Sequence, residues 1–164
     1  MHTIDIITTP TEMLDLVRQS ASWINDPAEF VHWTDQEFKF QQPITRFVEG
    51  SHPEEVFLLR ENGVPVAYAE LHKNRFGWVI ARVLVHPEFR NRGFARKIMQ
   101  ACIDQVFKTQ FVVSLFCVLD NCPAFKLYQN LGFKALEKYP DQGLQRMSLI
   151  SSSLTSTQQP LQTA

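Results

Sequence analysis

The sequence predicts an α/β domain (α+β in its ordering) built on a mixed, mostly antiparallel sheet of six to seven strands with flanking helices. Three observations carry this. Runs of β-branched and aromatic residues recur along the chain, separated by Gly, Pro and Asn turns. Between them lie segments whose apolar residues return every three or four positions, which is helical spacing. The run 111–119 is almost continuously apolar, as a central strand is when both faces of its sheet are covered.

Residues 4–8 read as a first short strand. Pro10 opens a helix whose Met13, Leu14 and Val17 share one face. From Trp23 to Phe47 the pattern loosens. This segment carries Trp23, Phe30, Trp33, Phe38, Phe40 and Phe47, and Pro27 and Pro43 divide it into short helices or turns. Residues 56–60 and 64–72 are strands joined through Asn62-Gly63, a pair that tolerates positive φ at both turn positions. Residues 77–86 form a third long strand, which Pro87 ends. The next helix spans 94–107: Phe94, Ile98, Cys102 and Val106 repeat every four residues, and Ala95, Met99, Ile103 and Phe107 widen the stripe. After the strand 111–119, Asn121 caps a short helix that starts near Pro123, and Gly132 ends it. Strands 133–138 and 145–150 complete the sheet. Residues 1–150 therefore read as one domain. Residues 151–164 hold no charge, no aromatic and no period, and read as a flexible C-terminal tail.

Composition narrows the function. A chain of 164 residues supports a core without staples. Lys and Arg number 16 against 17 Asp and Glu, so the net charge of −1 leaves no footprint for general nucleic-acid binding. The longest apolar run falls far short of the ~20 residues that span a bilayer. The N-terminus also lacks a basic region followed by an apolar one. The expectation is a cytoplasmic protein with no membrane partner. Cys102, Cys117 and Cys122 form no CxxC pair, so neither a disulfide framework nor a metal site is expected.

The sharpest feature is the run 82–97, RVLVHPEFRNRGFARK. It reads as strand, tight loop and helix. The first amides of a helix lack internal partners, and with the dipole they make an anion site beside Gly93. Gly93 and the small Ala95 allow a bulky anion close to the backbone. Arg90, Arg92, Arg96 and Lys97 crowd the helix start. Cations there oppose the dipole by about 0.3–1 kcal/mol each, a penalty that a bound polyanion reverses. No GK[ST] follows and no GxGxxG is present, so this is neither a P-loop nor a dinucleotide fingerprint.

Arg90-x-x-Gly93-x-Ala95, after a strand ending Val-Leu-Val-His-Pro, resembles the Q/R-x-x-G-x-G/A motif of the GNAT superfamily of acyl-CoA-dependent N-acyltransferases. Asn121-Cys-Pro-Ala-Phe-Lys-Leu-Tyr-Gln-Asn-Leu-Gly-Phe133 resembles that family's N-x-x-A-x-x-x-Y-x-x-x-G-F segment. The resemblance covers roughly residues 64–138. The segment 23–47 is similar in type to the family's variable acceptor-side helices, without a motif of its own. The resemblance implies a GNAT-like sheet whose strands splay near Leu84 and Leu115 to admit pantetheine. It implies transfer of an acetyl group from acetyl-CoA to a primary amine, by direct attack in a ternary complex. The acceptor is a small molecule or a protein amine, no metal is implied, and the oligomeric state stays open, a homodimer included. Residue by residue, the backbone at Val83, Leu84 and Val85 would run beside the pantetheine arm. The amides of Asn91, Arg92, Gly93, Phe94 and Ala95 would hold the pyrophosphate, and Arg90 would brace the loop. Asn121 would contact the pantetheine or simply cap its helix. Tyr128 matches the family's general acid. A non-catalytic acyl-CoA-binding regulatory module is the alternative from another class.

The base is less evident. Many relatives place a carboxylate on a central strand, where this chain has Val79 and Phe116. Alternation along 64–72 puts Tyr68, Glu70 and His72 on one face, and Glu70 leads as the base. His72 and His86 are imidazoles, which titrate near neutrality, but both lie at strand ends. A water chain is a further route. Arg82 either meets an acidic group on the acceptor or pairs with Glu70; pairing would lower the Glu70 pKa and weaken it as a base. The aromatic segment 23–47 is expected to wall the acceptor pocket, with Tyr68 facing that pocket and Tyr139 structural.

Overall fold

The computed structural model describes residues 1–34 and 52–155. Seven strands form one sheet: β1 His2–Ile7, β2 Glu55–Glu61, β3 Val64–Asn74, β4 Gly77–Val85, β5 Val112–Val118, β6 Lys134–Tyr139 and β7 Leu144–Ile150. Their spatial order is β1-β2-β3-β4-β5-β7-β6. Every neighbouring pair is antiparallel except β4 and β5, which run parallel. Among the described residues, four helices flank the sheet: α1 Pro10–Ala21, α2 Pro27–Trp33, α3 Phe94–Phe107 and α4 Cys122–Asn130. A helical turn, Ser152–Thr155, follows β7.

Local chemistry explains the boundaries. Asn62 and Gly63 take φ of 51° and 85°, so the β2–β3 hairpin closes on a turn with positive φ at both central positions. The Asn74 side chain accepts from the Phe76 amide at 2.8 Å and shapes the β3–β4 turn. Asp26 caps α2 by accepting from Ala28 and Glu29, with Pro27 at the first helical position. Gly132, at φ 98°, closes the turn after α4.

Helix α3 buries Phe94, Ile98, Met99, Cys102, Ile103 and Val106 against one face of the sheet. That cluster includes Phe57, Leu59, Leu71, Ile80, Leu115 and Met147. Helices α1 and α2 cover the other face, where Met13, Val17, Trp23, Phe30 and Trp33 pack with Val56, Leu58, Tyr68 and Leu84. In β5, Val113, Leu115 and Cys117 join the α3 cluster, while Phe111, Val112 and Leu119 at its ends are exposed.

The join between β4 and β5 is short. Only Val79↔Ser114 and Ile80↔Leu115 pair across it. Beyond them β4 bulges: Leu84 lies opposite Tyr68 and Val79 opposite His72. Four residue steps on β3 thus match five on β4, so β4 carries one extra residue. Arg82 sits at that bulge with φ 52°, left-handed for a side-chain-bearing residue. Past this point the two strands separate and leave the cleft described next.

Candidate active site

A cavity of about 570 Å³ occupies the gap between β4 and β5. Ile80 to Leu84 form one wall and Leu115 to Val118 the other. Asn121, Ala124 and Tyr128 present one face of α4 to it, at helical spacing. Asp26, Glu29, His32 and Trp33 close it from α2.

On β4, the His86 amide donates to the Val66 carbonyl of β3 at 2.9 Å. Backbone groups alternate sides along a strand, so Leu84 also turns its peptide groups toward β3, whereas Val83 and Val85 turn theirs toward the gap. Leu84 instead reaches the cavity with its side chain. Main-chain groups of β4 thus turn toward the gap, where the Val85 carbonyl accepts from Arg90.

At the mouth, the loop after β4 turns into α3. Asn91 has φ 59° and Gly93 φ 80°. A Cβ built on Gly93 meets nothing within 4 Å, so glycine supplies the left-handed backbone here rather than space. Gly93 is the N-cap of α3 and makes no side-chain cap, so the next amides stay directed at the loop. Ala95 follows in the first turn, and the Phe94 ring is buried in the core. The Arg90 Nε donates to the Val85 carbonyl at 3.2 Å, and its guanidinium also bonds Glu29 of α2. Arg90 therefore ties strand, loop and helix together. Arg92 pairs with Glu61 at 2.8 Å and lies over the Phe89 and Phe94 rings.

Asn121 lines the cavity and also caps α4, its side chain accepting from the Ala124 amide at 3.3 Å. Tyr128 lines the same cavity, its ring edge-on to Phe133. Cys117 is a buried wall residue whose thiol donates toward the Val118 carbonyl at 3.5 Å.

Glu70 does not line the cavity. It is 0% exposed on the α2 side of β3. The Tyr68 hydroxyl donates to it at 2.6 Å, Arg82 NH1 donates at 2.8 Å, and His72 Nε2 lies 2.5 Å away. Arg82 and Glu70 thus form the ion pair weighed from sequence. Burial alone would raise the Glu70 pKa, but the His72 hydrogen bond and the charges of Arg82 and His72 outweigh it and hold the carboxyl below its ordinary range. Tyr68 is pushed well up by burial and by the Glu70 charge, so it is a neutral donor. It bonds Glu70 and does not face the cavity. His86 shapes the turn before Pro87, its Nδ1 accepting from the Glu88 amide at 3.3 Å. Of the aromatic segment, Trp33 lines the cavity, Trp23 and Phe30 pack into the core, and Phe38, Phe40 and Phe47 lie outside the described residues. Tyr139 packs against Phe116.

Two contacts of the site had no local signal in the sequence. Trp33 donates its Nε1–H to the Arg82 carbonyl at 2.9 Å, across 49 residues. Glu29 meets Arg90 across 61 residues. Only the folded chain brings them together.

Comparison with known proteins bears on this arrangement. The model of the acetyltransferase (GNAT) family matches residues 18–133. No curated protein sequence matches the chain. Among solved structures, the ribosomal-protein-S18-alanine N-acetyltransferase of Escherichia coli superposes with a TM-score of 0.66 at 20% identity, covering 92% of this chain and 95% of that one. Spermidine N-acetyltransferase of Vibrio cholerae, in complex with CoA and spermine, gives 0.67 at 16%, covering 91% and 96%. The yncA protein of Salmonella typhimurium, with its cofactor acetyl-CoA, gives 0.62 at 18%, covering 91% and 93%. At these identities the likeness is one of fold.

Proposed function

The chain belongs to the acetyltransferase (GNAT) family, and from that premise we propose that it moves an acetyl group from acetyl-CoA to a primary amine by direct attack in a ternary complex. The observation that carries this reading is the cleft itself. One opening combines Val83 on β4, Arg90 of the loop that leads through Gly93 into the N-terminus of α3, and Tyr128 on α4.

The fit to acetyl-CoA is specific. The slot between β4 and β5 suits an extended pantetheine arm, with Val83 and Val85 bonding it as a further strand would. The amides of Asn91 to Ala95 suit a pyrophosphate, with Arg90 bracing the loop. When bound, the cosubstrate supplies a thioester-activated acetyl group. The residues supply position and proton handling. An alkylamine of pKa about 10.4 is neutral roughly once in 2,500 molecules at pH 7, a cost of roughly 4.6 kcal/mol, so a proton acceptor is needed. We assign that task to His72 supported by Glu70. His72 Nε2 is engaged by Glu70 and lies 3.2 Å from Arg82 NH1, so Nδ1 is the ring nitrogen left to accept a proton. Glu70 thus serves through its partner. Tyr128 donates a hydrogen bond that strengthens as the thiolate departs. A full transfer from a phenol near 10 to a thiol near 8.5 is uphill by about 2 kcal/mol, so stabilisation outweighs protonation. Asn121 fixes the helix that carries Tyr128. The Cys117 thiol, directed at backbone carbonyls, is placed as wall rather than nucleophile, which supports direct attack.

The test is thiol release from acetyl-CoA across a panel of amines and N-terminal peptides. Amine-dependent release supports the reading. Tight acetyl-CoA binding with no transfer to any member would favour the non-catalytic binding module.

A further inference from the structure

Arg82 is held at both ends. Its carbonyl accepts from the indole of Trp33 on α2, at 2.9 Å. Its guanidinium donates to Glu70 on β3, at 2.8 Å. Between these anchors its backbone is left-handed, at φ 52°. That conformation is disfavoured for a side chain with a Cβ, and it persists only where surroundings over-determine it. The position matters. Pairing between β4 and β5 stops at Ile80↔Leu115, and Arg82 is the second residue beyond. The Arg82 side chain is 9% exposed and Glu70 is 0% exposed, so the pair is buried, with Arg82 itself part of the cleft wall and Glu70 behind it.

We propose that the buried Glu70–Arg82 pair is a positioning device that holds the β4 bulge and thereby keeps the cleft open for acetyl-CoA. This rests on the reading of the cleft as the acetyl-CoA site. The chain of cause is short. Glu70, itself fixed by Tyr68 and His72, anchors the guanidinium. The anchored side chain and the Trp33 bond hold Arg82 left-handed. The extra residue turns Val83 and Val85 toward the gap. If Arg82 relaxed to an extended conformation, the bulge would shift and those peptide groups would lose their direction. Neither Glu70 nor the Arg82 guanidinium needs to touch the acetyl-CoA for this.

The test is calorimetric binding of CoA with no amine present, a readout that proton transfer to a base does not enter. Glu70→Gln and Arg82→Ala should each weaken CoA binding by about tenfold, the size expected when a left-handed residue loses its support. Arg82→Gly loses the same side chain but adopts positive φ freely, so it should bind at least ~3-fold more tightly than Arg82→Ala. Should Glu70→Gln leave Arg82 too poorly compensated to fold, the double substitution Glu70→Gln with Arg82→Gly carries the test. It leaves no buried charge unpaired, and its binding should recover to within about threefold of wild type. Wild-type binding with Glu70→Gln and Arg82→Ala within about twofold of it would overturn the positioning role alone. Equal loss in Arg82→Ala and Arg82→Gly would overturn it too, since the backbone would not be the element that matters. No CoA binding by the wild type would sink the cleft assignment and this inference together.

Discussion

Tyr128 lies on the same face of α4 as Asn121 and Ala124, so one cap and one helix set the phenol against the cleft. Tyr128→Phe keeps the ring contact with Phe133 and removes only the hydroxyl. It should lower kcat by ~10-fold or more with acetyl-CoA binding changed by less than about threefold. A steady-state comparison reads this, and an unchanged kcat would remove Tyr128 from the chemistry. Glu70 makes a different prediction, one of stability. Its folded-state pKa lies below the ordinary value because the His72 bond and the Arg82 and His72 charges outweigh burial. As pH falls, the unfolded chain takes up this proton first. The stabilisation is therefore present above the ordinary glutamate pKa of about 4.3 and is lost as pH drops through the lower folded-state value. Glu70→Gln should cost on the order of 3 kcal/mol near pH 7, because it leaves a buried guanidinium poorly compensated. Thermal unfolding should show the gap between wild type and variant closing as pH falls through this range. A gap that stays constant would mean that Glu70 is not ionised in the fold.

At the scale of elements, α3 was legible to the residue. The four-residue repeat from Phe94 to Val106 sets its buried face, and Gly93 starts it. Ile98 is fully buried at the middle of that stripe. Ile98→Ala should cost about 2–5 kcal/mol in chemical denaturation, within the range for core truncations. A loss under 1 kcal/mol would mean that α3 is not what closes this face. Gly93→Ala tests the loop instead. With open space around the missing Cβ, only the left-handed backbone is strained, so acetyl-CoA affinity should fall while the core stays intact. An unchanged Kd would show that the loop does not hold the ligand. The Asn62-Gly63 hairpin was equally legible, because both residue types state the φ they permit. The β4 bulge was not. Val-Ile-Ala-Arg-Val-Leu-Val reads as regular alternation, and nothing in it calls for positive φ at Arg82. The bulge arises from Glu70 and Trp33, which lie 12 and 49 residues away. The pairing of Glu70 with Arg82 could be weighed from sequence, but its burial away from the cleft could not. Alternation fixes which side of a strand a side chain takes, not what packs over it.

For the whole molecule, the cleft opens at the one parallel join in an otherwise antiparallel sheet. Antiparallel pairing continues on both sides, β3 with β4 and β5 with β7, so the two halves are each well tied while the seam between them parts. The cavity-lining residues of α2, α4 and the loop before α3 all converge on that seam. Acetyl-CoA should therefore bridge the halves and stabilise the fold. At 100 times its Kd it adds about 2.7 kcal/mol, worth roughly 5–11 °C for a chain of this size. A Tm that does not move with saturating acetyl-CoA would speak against the seam as the binding site.

The most direct measurement is mass spectrometry of the amine products formed with acetyl-CoA, by wild type and by Tyr128→Phe, alongside thiol release. The expected result is an acetylated amine formed one-for-one with free thiol in the wild type, and at least ~10-fold more slowly in the variant. The contradicting result is acetyl-CoA bound in the cleft with no amine of the panel acetylated, or acetylation that proceeds equally well without the Tyr128 hydroxyl.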